Sequence, residues 1–120
     1  MARRDLTGAV DFAYLEAYAG GDQPVVDEVL ALFREQAALW ARLLDPAAGD
    51  GVWRDAVHTL KGSARGIGAG ALAEACAAAE SGADGAGAAA LNAVRDALDV
   101  VLADIAAYLH EQALRSLKTP

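Results

Sequence analysis

Apolar residues in this chain recur at three- and four-residue steps along most of its length, and strict alternation nowhere persists over six residues. Such spacing lines one side of a helix and gives a strand no face to bury, which confines the chain to an all-α fold. The first periodic segment is short, 11–19, with Phe12, Leu15 and Tyr18 in step before Gly20-Gly21. Asp22 is suited to cap a second helix, 24–44, whose stripe is Val26, Val29, Leu30, Phe33, Ala37, Trp40 and Leu44. Pro24 fits its first turn, where an N–H would lack an intrahelical acceptor. After a turn at 45–51, a third helix, 52–67, aligns Trp53, Ala56, Leu60, Ala64 and Ile67. A fourth, 71–80, presents Leu72, Ala75, Cys76 and Ala79. Beyond a glycine-rich loop at 81–87, a long helix, 88–114, carries Leu91, Val94, Leu98, Val101 with Leu102, Ile105, Leu109 and Leu114. The tail, 115–120, is expected to fray.

Four substantial helices joined by short turns predict an antiparallel up-down four-helix bundle, with the short additional N-terminal helix across one end. Residues 1–120 are expected to form one domain. About a quarter of the residues are alanine, so the helices should pack closely through small side chains. A net charge of -7 and a pI near 4.6 offer no general attraction to phosphate backbones, so no nucleic-acid partner is expected. No apolar run approaches the roughly 20 residues that span a bilayer. Arg3-Arg4 is followed by no apolar stretch, which argues against a signal peptide. The lone Cys76 can form no internal disulfide and lies on a core face, where it should be inert. The expected compartment is a reducing cytoplasm, and a bundle able to close its own core is expected to be a monomer.

The third helix carries the unusual residue. With His58 at zero on a helical wheel, the core residues Trp53, Ala56, Leu60, Ala64 and Ile67 fall between roughly 160° and 240°. His58 therefore points away from the core. Within roughly 60° of it lie Arg54, Lys61, Gly62 and Arg65. A solvated helix face would account for the charges but not for Gly62, because glycine inside an exposed helix costs about 0.8–1.0 kcal/mol relative to alanine. A missing side chain one turn from His58 lets another surface approach the imidazole. Cations beside an imidazole favour its neutral, nucleophilic form and would stabilise an anionic group carried on the ring.

The run His58-x-x-Lys61-Gly62-Ser63, followed by Gly68-Ala69 and Leu72, resembles the signature of histidine-containing phosphotransfer (HPt) domains of two-component phosphorelays. Asp11-x-x-Tyr14-Leu15, Gly20-Gly21-Asp22 and Leu32-Phe33 are similar to the family's first two helices, so the likeness covers most of the chain. It implies that His58 shuttles a phosphoryl group between receiver-domain aspartates, attacking through Nε2. Lys61 would hold the phosphoryl oxygens and Gly62 would leave room for the receiver. Arg65 and Arg54, inferred from the wheel, would add positive potential. The expected partners are response-regulator receivers and a histidine kinase or hybrid kinase. No metal or cofactor is expected on this chain, because Mg²⁺ would sit on the receiver.

Glu80 lies about as far after the turn near Gly68-Ala69 as His58 lies before it, so two antiparallel helices would set them at similar height. HPt domains commonly carry a glutamine or glutamate near this spacing, bonded to Nδ1 of the active histidine. Glu80 resembles that residue, though a helix-end solubility role fits it too. Ser63, at roughly 140°, borders the core, and both a back-bond to a helix carbonyl and a place in the signature suit it. His110 has no glycine beside it and is expected to be surface only. A non-phosphorylated adaptor binding receiver or kinase domains is the alternative function. A metal-site bundle would need inward Glu-x-x-His pairs. An autonomous kinase would need an ATP-binding domain, for which 120 residues leave no room. The chain is therefore expected to be a phosphoryl carrier and not an enzyme.

Overall fold

The computed structural model describes residues 7–82 and 87–118, and among them no strand occurs. The helices are α1 (Phe12–Tyr18), α2 (Gln23–Leu43), α3 (Asp50–Gly66), α4 (Gly70–Ser81) and α5 (Gly87–Lys118). Their starts follow local chemistry. Asp11 accepts from the Tyr14 N–H to cap α1, and Asp22 accepts from the Val25 N–H to cap α2. Asp45 caps a single 3-10 turn, Pro46–Ala48, within the segment expected to be a plain turn.

Helices α2 to α5 close a ring of neighbours, α2 on α3, α3 on α4, α4 on α5 and α5 back on α2. With short connections this is the expected up-down bundle. Helices α3 and α4 are the most intimately packed pair, and Ala64, Ala73 and Ala79 within them are buried. Leu30, Leu44, Leu60, Leu72, Leu91 and Ile105 fill the centre.

The short α1 closes one end. The Asp11 N–H donates to the Gly68 carbonyl at 3.0 Å in the α3–α4 turn. Gly68 holds a φ of +80°, and a Cβ there would meet the Asp11 carbonyl oxygen and the Tyr14 ring at 3.1 Å. Buried Asp104 of α5 accepts from both the N–H and the hydroxyl of Thr7 and from the Ala9 N–H. These bonds fasten the segment that leads into α1.

Four details differ from the sequence expectation. Tyr18 is 80% exposed, leaving Phe12 and Leu15 as the buried residues of α1. Val29 is 37% exposed, not part of the core stripe. Tyr108, and not Leu109, continues the buried stripe of α5. Its ring stacks on Phe12 at 4.3 Å, and its hydroxyl donates to Glu16 Oε2 at 2.6 Å and accepts from Gln23 Nε2 at 2.8 Å. Those partners are what allow a phenol to be buried. Helix α5 also continues through 115–118, where fraying was expected, leaving Leu114 and Leu117 exposed. Residues 1–6, with Arg3 and Arg4, the loop residues 83–86 and the tail residues 119–120 lie outside the described residues. No described helix is long and apolar enough to cross a membrane.

Candidate functional site

Helix α3 buries Trp53, Ala56, Val57, Leu60 and Ala64 and turns its opposite face outward. His58 occupies that outer face with 72% of its side chain exposed. Because α3 and α4 run antiparallel from their shared turn, residues equidistant from it come level. Glu80, in the last turn of α4, is level with His58, and its Oε2 lies 2.8 Å from His58 Nδ1. Its other oxygen, Oε1, pairs with the Lys61 ammonium. One carboxylate thus ties together two residues of α3.

The proton on this contact can be assigned by chemistry. The Lys61 ammonium, with a smaller contribution from His58, holds the Glu80 carboxyl below its ordinary value of 4.5 against the opposing effect of burial. Glu80 is therefore ionised at neutral pH and has no proton to give. Nδ1 of His58 must be the donor, which leaves the lone pair of the neutral ring on Nε2.

The other expected site residues are distributed around this triad. A Cβ built on Gly62 would meet no heavy atom within 4 Å, so the surface beside His58 is bare. Arg54 leans toward α4: its Nη1 donates to the Glu80 carbonyl at 3.2 Å, and its guanidinium lies 4.6 Å over the Trp53 ring. Arg65 lies apart, beside a small cleft formed with Asp11, Tyr14 and Gly68. Ser63 faces the other flank of α3. With Gly66 and Ile67 it walls a groove of about 420 Å³ whose far side is α2, through Val29, Leu32, Phe33 and Trp40. Of the three cations expected near His58, Lys61 and Arg54 are engaged with Glu80.

The outer face of α2 is a feature the sequence reading passed over. Val25, Val29, Leu32, Leu39 and Leu43 are 37–55% exposed and form a second apolar stripe. The signal was present as a three- and four-residue series running one position behind the core stripe, hidden because the core stripe already explained the helix.

Two further reactive side chains, Cys76 and His110, are not part of the contact between His58, Glu80 and Lys61. Cys76 is fully buried, and burial pushes its thiol up to about 11, with the Glu80 carboxylate adding and Lys61 opposing. A thiol so protonated is a poor nucleophile. His110 is exposed on α5. Among the described residues no group of three or more His, Cys, Asp or Glu side chains is placed to hold a metal ion.

An up-down helical bundle with one outward histidine anchored by a carboxylate on the adjacent helix is the architecture of a phosphotransfer module, and the chain belongs to the Hpt domain family, whose model matches residues 25–108. Among solved structures it is similar to the histidine phosphotransferase ShpA from Caulobacter crescentus, with 64% sequence identity and a TM-score of 0.80 over 92% of this chain and 99% of that one. No curated protein matches the chain. Its role is that of the family, histidine phosphotransfer in a phosphorelay.

Proposed function

We propose that His58 is the residue that carries the phosphoryl group. The observation that supports this most directly is the exposed imidazole whose Nδ1 is held at 2.8 Å by an ionised Glu80. The Nε2 lone pair attacks the phosphorus of an acyl phosphate on a receiver aspartate. An N–P bond forms as the P–O bond breaks, and its electron pair leaves with the aspartate carboxylate. As Nε2 bonds to phosphorus the ring becomes cationic, and the Glu80 carboxylate on the Nδ1 proton stabilises that charge. Transfer to a second receiver is the same step reversed. The chain thus acts as a phosphoryl carrier, not as a kinase.

The donor must cover the ground around His58 to bring its phosphorus within bonding distance. Bare Gly62 and the apolar outer stripe of α2 suit a receiver surface, while Lys61 supplies positive charge for the phosphoryl oxygens and Arg65, farther along α3, adds to the positive potential that the receiver meets. Mg²⁺ belongs, in this reading, to the receiver, where it offsets the charge of the acyl phosphate. A histidine kinase or hybrid kinase stands upstream. The compartment is the cytoplasm and the working form a monomer, consistent with a free buried cysteine and a bundle that encloses its own core.

The test is transfer from a phosphorylated receiver to the wild-type chain and to His58→Gln. Acid-labile, alkali-stable label on the wild type alone, with equal helicity in both proteins, is the expected result. Tight receiver binding with no label on the wild type would overturn the carrier reading in favour of an adaptor.

A further inference from the structure

Glu80 is the penultimate residue of α4, and its own backbone carbonyl is among the last four that the helix leaves without an intrahelical donor. The end of a helix frays readily when these groups are unmet, and Glu80 could hardly serve His58 from a frayed turn. The Glu80 carbonyl is met across the α3–α4 interface by Arg54 Nη1 at 3.2 Å. A cation at this position also opposes the negative end of the helix dipole. The guanidinium is itself aimed. It lies over the Trp53 ring at 4.6 Å, and Trp53 is 2% exposed and ties its indole N–H to Asp50 Oδ1 at 3.2 Å.

From this chain of contacts we infer that Arg54 is a positioning residue: it clamps the last turn of α4 through the Glu80 carbonyl and so holds the Glu80 carboxylate on His58 Nδ1. The inference rests on the reading of His58 as phosphoacceptor only for its consequence on rate, since the clamp itself concerns the free protein. Arg54 acts on the histidine at one remove, through the backbone of its partner. A cation that met the phosphoryl group directly would behave differently, and a double-mutant cycle separates the two cases.

The proteins compared are the wild type, Arg54→Ala, Glu80→Ala and the double variant. Two quantities are read: the ¹⁵N shifts of the His58 ring, which report its tautomer, and the rate of labelling by phosphoramidate, a small donor that needs no receiver. Arg54→Ala is expected to move the neutral ring from the Nδ1–H toward the Nε2–H tautomer, in the direction of Glu80→Ala, which removes the acceptor outright. It should slow labelling by about tenfold, the scale of loss seen when an outer partner of a metal-ligating histidine is removed. In the Glu80→Ala background it should add nothing further. An unchanged tautomer in Arg54→Ala, or rate losses that multiply in the double variant, would overturn the clamp. Arg54→Lys keeps the charge and a donor for the carbonyl but loses the flat stacking on the indole, so it should recover tautomer and rate only in part. Wild type that takes no label would refute the phosphoacceptor reading instead, and the ring shifts would still decide the role of Arg54.

Discussion

Glu80 Oε2 and His58 Nδ1 meet at 2.8 Å although 22 residues separate them in the chain. The contact selects one ring nitrogen for the proton and leaves the other free for chemistry. It also shares its carboxylate with Lys61, so the orientation of the nucleophile and the position of its nearest cation are set by one side chain. Glu80 touches both His58 and Lys61, and each of the three groups can be perturbed with a different readout.

The Glu80 carboxyl titrates below its ordinary value of 4.5, chiefly because the Lys61 ammonium favours the ionised form. A carboxyl depressed by folding contributes stability above its unfolded value and loses that contribution as the pH falls through its folded value. The melting temperature of the wild type should therefore exceed that of Glu80→Gln by a margin that is full well above pH 4.5 and shrinks as the pH falls through that value and below it. Thermal melts of both proteins across this range check it. A margin that grew toward acid would show that the ion pair with Lys61 does not stabilise the fold.

Gly62 lies inside α3 with open space where a Cβ would stand. Replacing it by alanine should raise stability by about 0.8–1.0 kcal/mol through helix propensity alone. The larger Gly62→Gln should fold at least as well as the wild type and bind a receiver more weakly, because its side chain fills the approach to His58. Melting curves together with a receiver titration measure both effects. Undiminished receiver affinity in Gly62→Gln would mean that the bare surface serves no approach.

Asp104 of α5 is 1% exposed and accepts three donors from Thr7 and Ala9. Asp104→Ala removes the shared acceptor of those donors, with the Ala9 N–H keeping Thr7 Oγ1 at 3.2 Å, at a cost of about 1 kcal/mol. The loss should be local first. Amide hydrogen exchange at Ala9 and in α1 should accelerate, while Leu60 and Leu72 of the central helices keep their protection. Uniform acceleration through α3 and α4 would place Asp104 in the global core instead.

Much of this was legible in the chain because periodicity is a local signal. The outward placement of His58 followed from the angles of Trp53, Ala56, Leu60 and Ala64, each a near neighbour in sequence. Even the level of Glu80 could be reached, since two helices rising equally from one turn need only counting. Contacts that depend on side-chain reach could not. Nothing in the spacing tells that Lys61 turns toward Glu80, or that Arg54 bonds the backbone of Glu80 and rests on Trp53. Tyr108 was passed over for Leu109 because hydropathy disfavours a phenol in a core, and its partners Glu16 and Gln23 come from distant helices. The outer stripe of α2 was missed for the opposite reason, since one helix can carry two apolar series and only one of them faces inward.

The buried alanines of α3 and α4 bear no functional group, yet the span of the His58–Glu80 contact depends on them. Ala64, Ala73 and Ala79 are buried in the most closely packed helix pair, and such small side chains let two axes come near enough for a glutamate to bridge. A bulkier residue at any of them would push the helices apart and draw the carboxylate off the ring, without touching either partner. The geometry of the surface site is thus set partly in the interior of the bundle, by residues that never meet solvent.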